Sequence, residues 1–113
     1  MITIWHNPRC SKSREALALL EDAGVTLEVR PYLEEPPTVA ELLELQAKLD
    51  LPAIAMMRTK EALFRELGLK KDMAEARLID AMAAHPRLIE RAVVINGPRA
   101  VIARPPERAL DVL

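Results

Sequence analysis

The chain has 113 residues, and its 16 basic and 17 acidic side chains leave a net charge of −1, so we expect one folded domain. The near-zero charge and the 3% aromatic content argue against nucleic-acid binding, which needs cationic side chains and rings that stack on bases. One cysteine and two histidines exclude an internal disulfide and disfavour a structural metal, so we expect no bound metal or cofactor.

The beginning of the sequence lacks the pattern of a secretory signal, and no apolar run approaches the ~20 residues that a transmembrane helix needs. A lone cysteine suits a reducing compartment, because small exported domains usually pair their thiols. We therefore expect a cytoplasmic protein with no membrane partner, and we expect it to be a monomer.

The first thirty residues predict a β-α-β unit. Residues 2–5 are short and apolar, as in a strand, and a helical pattern runs from about 11 to 23, with Gly24 placed to cap its end. Residues 27–30 alternate apolar and charged side chains, which is typical of a half-buried strand. Two strands joined by one helix normally lie parallel.

The middle of the chain, roughly 38–84, predicts a helical insertion. Thr38 and Glu41 have the spacing of a capping box, and Asp72 and Glu75 repeat that spacing before another helical pattern. One or two short helices are expected between them.

The last quarter predicts a β-hairpin and a final helix. Two apolar runs, 93–95 and 100–102, flank a turn that contains Pro98, and we expect a loop of more than two residues because proline has no amide N–H. The final helix is expected to begin near Pro105. The order β-α-β, helical insertion, β-β-α indicates a thioredoxin-like α/β fold: a single domain over 1–113 with a small mixed four-stranded sheet and helices on both faces.

Cys10 is the best candidate for a nucleophile. It lies where the first helix begins, and unpaired amides and the helix dipole stabilise a thiolate there. Arg9, Lys12 and Arg14 add positive charge nearby. Ser13 occupies the position where a Cys-x-x-Cys motif has its second thiol, so an adduct on Cys10 must be resolved by another molecule.

Two further side chains are candidates for tuning this thiol. His6 could lower its pKa or move a proton, and Ser13 could donate its hydroxyl to the thiolate. A structural role remains open for both, since a histidine at a strand end is often hydrogen-bonded and a serine near a helix start often caps it.

Arginines supply a candidate oxyanion site. Arg91 precedes one late strand and Arg104 follows the next, so both are expected near the edge where Cys10 lies. Together with Arg58 they would offer forked, permanently charged donors to a tetrahedral oxyanion. Arg14 is a fourth candidate for binding such a substrate.

Ordered motifs extend along nearly the whole chain: His6–Arg14, Tyr32–Thr38, Met57-Arg58, Glu66–Leu69, Arg77–Asp80, His85-Pro86, Leu88–Arg91 and Arg104–Pro106. With these motifs the sequence resembles the ArsC-type, glutaredoxin-dependent arsenate reductases of the thioredoxin-like superfamily. It is most similar to the short arsenate reductase-like members, which lack the C-terminal extension of the longer enzymes.

The resemblance implies a reaction and a role for each candidate. In that family the cysteine attacks arsenate, glutathione displaces an oxygen of the adduct, and glutaredoxin reduces the product with release of arsenite. Cys10 matches the nucleophile, and His6 and Ser13 match the positions that tune it. The family's oxyanion clamp matches three arginines: Arg58, Arg91 and Arg104.

One position departs from the family pattern. The family follows the second of these arginines with a cis-proline, whereas Arg91 is followed by Ala92. A cis bond costs ~2.5–4 kcal/mol before alanine and ~0.5–1 kcal/mol before proline, so we expect the Arg91–Ala92 bond to be trans.

Three functions compete at this point. The leading one is a thiol-dependent oxidoreductase that reduces arsenate, or a related oxyanion or disulfide, with glutathione as co-substrate and glutaredoxin as partner. The alternative is an Spx-like transcriptional regulator that binds RNA polymerase, which Ser13 disfavours because such proteins sense redox state through a Cys-x-x-Cys pair. A third is an adaptor whose Cys10 is merely glutathionylated.

Overall fold

The computed structural model describes residues 1–113, which form two compact units. The first unit combines Met1–Glu35 with Arg91–Leu113, and the second is Pro36–Glu90. The predicted helical insertion, 38–84, lies within the second unit. The assignment of the whole chain to one domain stays a prediction.

The first unit contains a mixed four-stranded sheet, as predicted. Its strands are β1 (Ile2–Trp5), β2 (Leu27–Arg30), β3 (Val93–Asn96) and β4 (Arg99–Ile102). Their spatial order is β2-β1-β3-β4, with β1 parallel to β2 and β3 antiparallel to both β1 and β4. This arrangement, with a helix between β1 and β2 and another after β4, is the thioredoxin-like fold.

One face of this sheet packs against two helices. These are α1 (Ser11–Asp22) and a final 3₁₀ helix (Pro106–Val112). Ile4 of β1 and Leu20 of α1 are completely buried in this core. Burial of each such side chain contributes about 1.5–3 kcal/mol to the free energy of unfolding.

The second unit is helical. Its elements are α2 (Val39–Leu49), a 3₁₀ helix (Ala53–Met56), α3 (Ala62–Glu66), α4 (Glu75–Ala84) and a short 3₁₀ helix (Pro86–Leu88). The capping box predicted for α2 is confirmed: Thr38 Oγ1 accepts from the Glu41 N–H at 3.1 Å, and Glu41 Oε1 accepts from the Thr38 N–H at 3.0 Å. None of the helices in the protein has the length and apolarity required to cross a membrane.

The second predicted capping box is wrong. Helix α4 begins at Glu75, its N-cap is Ala74, and no side chain caps it. The Glu75 carboxylate instead accepts hydrogen bonds from the Ala53 N–H at 2.8 Å and the Gln46 side-chain amide at 3.1 Å. These tertiary contacts join α4 to α2 and to the 3₁₀ helix Ala53–Met56.

The predicted length of the hairpin loop is also wrong. Asn96 pairs with Arg99, so Gly97 and Pro98 form a loop of only two residues. Gly97 has φ +57°, which suits the first central position of a tight hairpin turn. Asn96 and Arg99 make the last strand pair of the hairpin, so the turn does not require an N–H group from Pro98.

The Arg91–Ala92 bond is cis, so the expectation of a trans bond is wrong. Ala92 is completely buried, and its carbonyl accepts a hydrogen bond from the Ala103 N–H at 2.8 Å. The expectation used only the intrinsic preference of a peptide bond before alanine, which takes no account of such tertiary contacts. The Arg104–Pro105 bond is cis as well.

Candidate active site

The loop between β1 and α1 is organised by Asn7. The Asn7 side-chain oxygen accepts from the Arg9 N–H at 3.0 Å, and its carbonyl accepts from the Cys10 N–H at 3.0 Å. These two local bonds fold the loop tightly and deliver Cys10 to the start of the helix. The Asn7-Pro8 pair is a turn signal that marks the end of the strand in the sequence, but these two hydrogen bonds of Asn7 were not predicted.

Cys10 is the N-cap residue of α1. It has an extended backbone (φ −98°, ψ 121°), and its carbonyl accepts the first helical hydrogen bond, from the Arg14 N–H at 3.0 Å. Its thiol is free and half-buried. No acidic residue lies in the first turn of α1, so nothing on that turn opposes a negative charge on the sulfur.

The strongest side-chain contact of the thiol comes from Arg91, whose Nε donates to Cys10 Sγ at 3.2 Å. Partial burial raises the pKa of Cys10, but the backbone amide of Ser13, the hydrogen bond and charge of Arg91 and the amide of Lys12 outweigh it. The net result is a lowered pKa. A larger fraction of the thiol is therefore ionised near neutral pH than in an ordinary cysteine.

The Ser13 hydroxyl is used to hold the loop. Ser13 is completely buried, its Oγ lies 2.7 Å from His6 Nδ1, and it accepts from the Asn7 N–H at 3.0 Å. Ser13 therefore acts on Cys10 through its backbone amide, while its side chain is engaged by the start of the loop.

His6 is buried at the end of β1. Burial lowers its pKa, the charge of Arg14 lowers it further, and the charge of Glu21 acts in the opposite direction. The lowered pKa favours the neutral imidazole, and a neutral ring can accept a hydrogen bond from the Ser13 hydroxyl at Nδ1. A positive charge on His6 is not what stabilises the thiolate.

Arg14 braces the same loop from the helix side. Its Nη1 donates to the Pro8 carbonyl at 2.9 Å. This contact was not expected from the sequence, which placed Arg14 among the anion ligands. Its role in binding substrate stays a prediction.

The three arginines predicted to bind an oxyanion are divided between the two units. Arg104 lies beside Arg91 in the first unit, with its Nη1 3.5 Å from the Arg91 carbonyl oxygen. Arg58 belongs to the second unit, where its Nη2 lies 3.2 Å from Glu61 Oε2. Glu61 also pairs with Arg87, at 2.7 Å, so one carboxylate holds two guanidiniums. Within the first unit, the structure thus places the Arg91 side chain against Cys10 and the Arg104 side chain beside the Arg91 carbonyl.

Comparison with known proteins identifies the family of this chain. The ArsC family model matches residues 5–112. An arsenate reductase from Haemophilus influenzae is 46% identical over 114 residues, covering 99% of this chain and 98% of that protein. An arsenate reductase from Escherichia coli is 40% identical over 99% of this chain and 80% of its own length. The structure of an arsenate reductase from Vibrio cholerae superposes with a TM-score of 0.95 at 48% identity, covering 99% of this chain and 97% of that one. The chain belongs to the ArsC family.

Proposed function

We propose that the protein is an arsenate reductase in which Cys10 is the nucleophile, glutathione the co-substrate and glutaredoxin the reducing partner. The observation that carries this proposal is the contact between Arg91 Nε and Cys10 Sγ, 3.2 Å, at the start of a helix. A guanidinium in this position both stabilises the attacking thiolate and offers further donors to an oxyanion.

The first step joins Cys10 to arsenic. The thiolate forms a sulfur–arsenic bond, and an arsenate oxygen leaves as water after taking up protons, so arsenic remains in the +5 state. Once the sulfur is bonded to arsenic, the Arg91 guanidinium donates to the bound oxyanion instead of to the sulfur. Arg104, Arg58 and Arg14 are the other proposed ligands of that anion.

The next steps supply two electrons. The glutathione thiol displaces a second oxygen as water, which gives a species with arsenic between two sulfurs. A glutaredoxin thiol attacks the glutathione sulfur, forming a disulfide, and the electron pair of the broken bond reduces arsenic to +3. Water then replaces Cys10 on arsenic, so arsenite leaves and the thiol is regenerated.

An external thiol is required by this scheme because Cys10 is the only cysteine of the chain. The Cys10 adduct cannot be resolved within the molecule. His6 and Ser13 are proposed to act by holding the loop, and hence the sulfur, in place.

A coupled assay tests the proposal. NADPH consumption is followed in a mixture of arsenate, glutathione, glutaredoxin and glutathione reductase, and arsenite is measured separately. We expect turnover with the wild-type protein, none with Cys10→Ser, and loss of turnover when either glutathione or glutaredoxin is omitted. The variant Arg65→Gln, which changes an exposed arginine outside the site, should retain wild-type activity.

The proposal fails if wild-type protein and Cys10→Ser consume NADPH at the same background rate. A gain of one glutathione on Cys10 without arsenite formation would instead support the adaptor role.

A further inference from the structure

Asn7 accepts a hydrogen bond from every backbone N–H group that lies between it and α1. Residues 8–10 separate Asn7 from the helix, and Pro8 has no N–H group. The Arg9 N–H donates to Asn7 Oδ1, and the Cys10 N–H donates to the Asn7 carbonyl, each at 3.0 Å. The backbone on the N-terminal side of Cys10 is therefore held by Asn7.

Asn7 is in turn anchored to the first turn of α1. Its N–H donates to Ser13 Oγ at 3.0 Å, and Ser13 is completely buried. The helix holds Cys10 from the other side, because the Cys10 carbonyl accepts from the Arg14 N–H at 3.0 Å. The segment from Asn7 to Cys10 is thus a closed loop whose two ends are attached to the same helical turn.

Only one of these contacts depends on the asparagine side chain. The N–H and carbonyl groups of position 7 belong to the backbone, so alanine would keep them. The acceptor for the Arg9 N–H is the side-chain oxygen, whereas the side-chain NH₂ group has no partner within the protein. Loss of this acceptor would release the backbone of Arg9, and Cys10 follows Arg9 directly in the chain.

The contact between Cys10 and Arg91 requires a defined loop. Arg91 Nε lies 3.2 Å from Cys10 Sγ, and hydrogen bonds weaken steeply as their geometry departs from linearity. A loop that samples several conformations would keep the sulfur at the guanidinium for only part of the time. The thiolate would then be less stable although Arg91 itself is unchanged.

We propose that Asn7 is a positioning residue for Cys10: its side-chain oxygen, by accepting the Arg9 N–H, holds the Cys10 sulfur against the Arg91 guanidinium. Asn7 acts through the loop and need not touch the substrate. This inference rests on the proposed function in taking Cys10 as the nucleophile, but the contacts that carry it involve no substrate.

The test is a pH titration of the thiol by NMR. Because Cys10 is the only cysteine, protein labelled with ¹³C in cysteine gives one Cβ signal, and its shift with pH follows the ionisation of this thiol. Asn7→Ala should move the midpoint to higher pH, so that the thiolate fraction below both midpoints falls several-fold. Asn7→Ser should have an intermediate midpoint, since a serine hydroxyl accepts such a bond more weakly.

Two further variants separate positioning from a general loss of stability. Asn96, the only other asparagine, donates from its Nδ2 to the Val112 carbonyl at 2.7 Å, so Asn96→Ala should lower the urea midpoint of unfolding and leave the thiol midpoint unchanged. In protein that already carries Arg91→Gln, Asn7→Ala should shift the thiol midpoint less than it does in the wild type, because the two residues act on the sulfur together.

The inference is overturned if Asn7→Ala titrates as the wild type does, if Asn96→Ala shifts the thiol midpoint equally, or if the shift is undiminished with Arg91→Gln. Should Asn7→Ala fail to fold, Asn7→Ser decides, and a wild-type midpoint for that variant overturns the inference.

The titration needs no arsenate, so the two proposals can fail separately. The expected midpoints in a protein that does not turn over arsenate would support the role of Asn7 and contradict the proposed function. Arsenate turnover with the same kcat for Asn7→Ala as for the wild type would do the reverse.

Discussion

The reactivity of Cys10 depends on a few contacts, and they are not the ones that proximity in sequence suggests. The sequence placed Cys10 at a helix start with cations nearby, and the structure confirms its position as the N-cap of α1. In the structure, however, Arg14 is directed to the Pro8 carbonyl, and Lys12 lies 3.6 Å from Glu15 on the surface. The guanidinium that contacts the sulfur belongs to Arg91, 81 residues away. The sequence shows which charged residues are close to Cys10 along the chain. Which of their side chains contacts the thiol depends on the other partners available to each side chain in the fold.

The first prediction concerns the pH dependence of this thiol. Because Arg91 lowers the pKa of Cys10, its alkylation by iodoacetamide should rise with pH through a midpoint below that of an ordinary cysteine. Arg91→Gln should move the midpoint to higher pH, so at a pH between the two midpoints alkylation should slow several-fold. The measurement is the second-order alkylation rate from pH 4 to pH 10.

Lys12→Gln is the matched control for this series. Lys12 contributes to the lowered pKa through its backbone amide, which the substitution retains, so its midpoint should stay near the wild-type value. Identical midpoints for wild type and Arg91→Gln would show that the contact does not stabilise the thiolate.

At the scale of whole elements, local signals are sufficient where the stabilising partners are local. The capping box of α2 involves Thr38 and Glu41, three positions apart, and the sequence predicts it correctly. The same spacing fails at α4, where the partners of Glu75 are Gln46 and Ala53, 29 and 22 positions away. No local pattern carries information about contacts of that range.

This difference predicts unequal stability losses. Thr38→Ala should lower the free energy of unfolding by about 1 kcal/mol, because it removes a helix cap. Asp72→Ala should change it by less than ~0.5 kcal/mol, as is usual for a surface position. Glu75→Ala should cost about 1–3 kcal/mol, since it leaves the partly buried Ala53 N–H without a partner.

Urea denaturation followed by circular dichroism measures all three variants. A loss for Asp72→Ala as large as that for Thr38→Ala would mean that Asp72 supports α4 in a way that these contacts do not include.

On the scale of the whole molecule, element order was enough to predict the fold class and most strand positions. A helix between β1 and β2 implies a parallel pair, and a short turn between β3 and β4 implies an antiparallel one. The central pairing of β1 with β3 joins opposite ends of the chain and leaves no local trace. The contact between Arg91 and Cys10 likewise joins residues 81 positions apart. The sequence therefore predicted only that Arg91 lies near the same edge of the sheet as Cys10, and not the hydrogen bond itself.

The core that joins these distant segments carries the next prediction. Leu20 of α1 is completely buried in the core that also contains residues of the sheet and of the final 3₁₀ helix, so Leu20→Ala should lower the free energy of unfolding by about 2–5 kcal/mol. Leu43→Ala is the control, because that side chain is 50% exposed on a helix, and it should cost less than ~0.5 kcal/mol. Similar urea midpoints for the two variants would contradict the packing described for the first unit.

The separation of Cys10 from Arg91 also has a consequence for the nascent protein. Synthesis proceeds at about 5–20 residues per second, so the ribosome adds Arg91 about 4–16 s after Cys10. During that interval the thiol lacks the guanidinium that lowers its pKa, and it has the weaker acidity of a cysteine in an incomplete chain. Cys10 thus acquires this contact only after the chain has been synthesised nearly to its end.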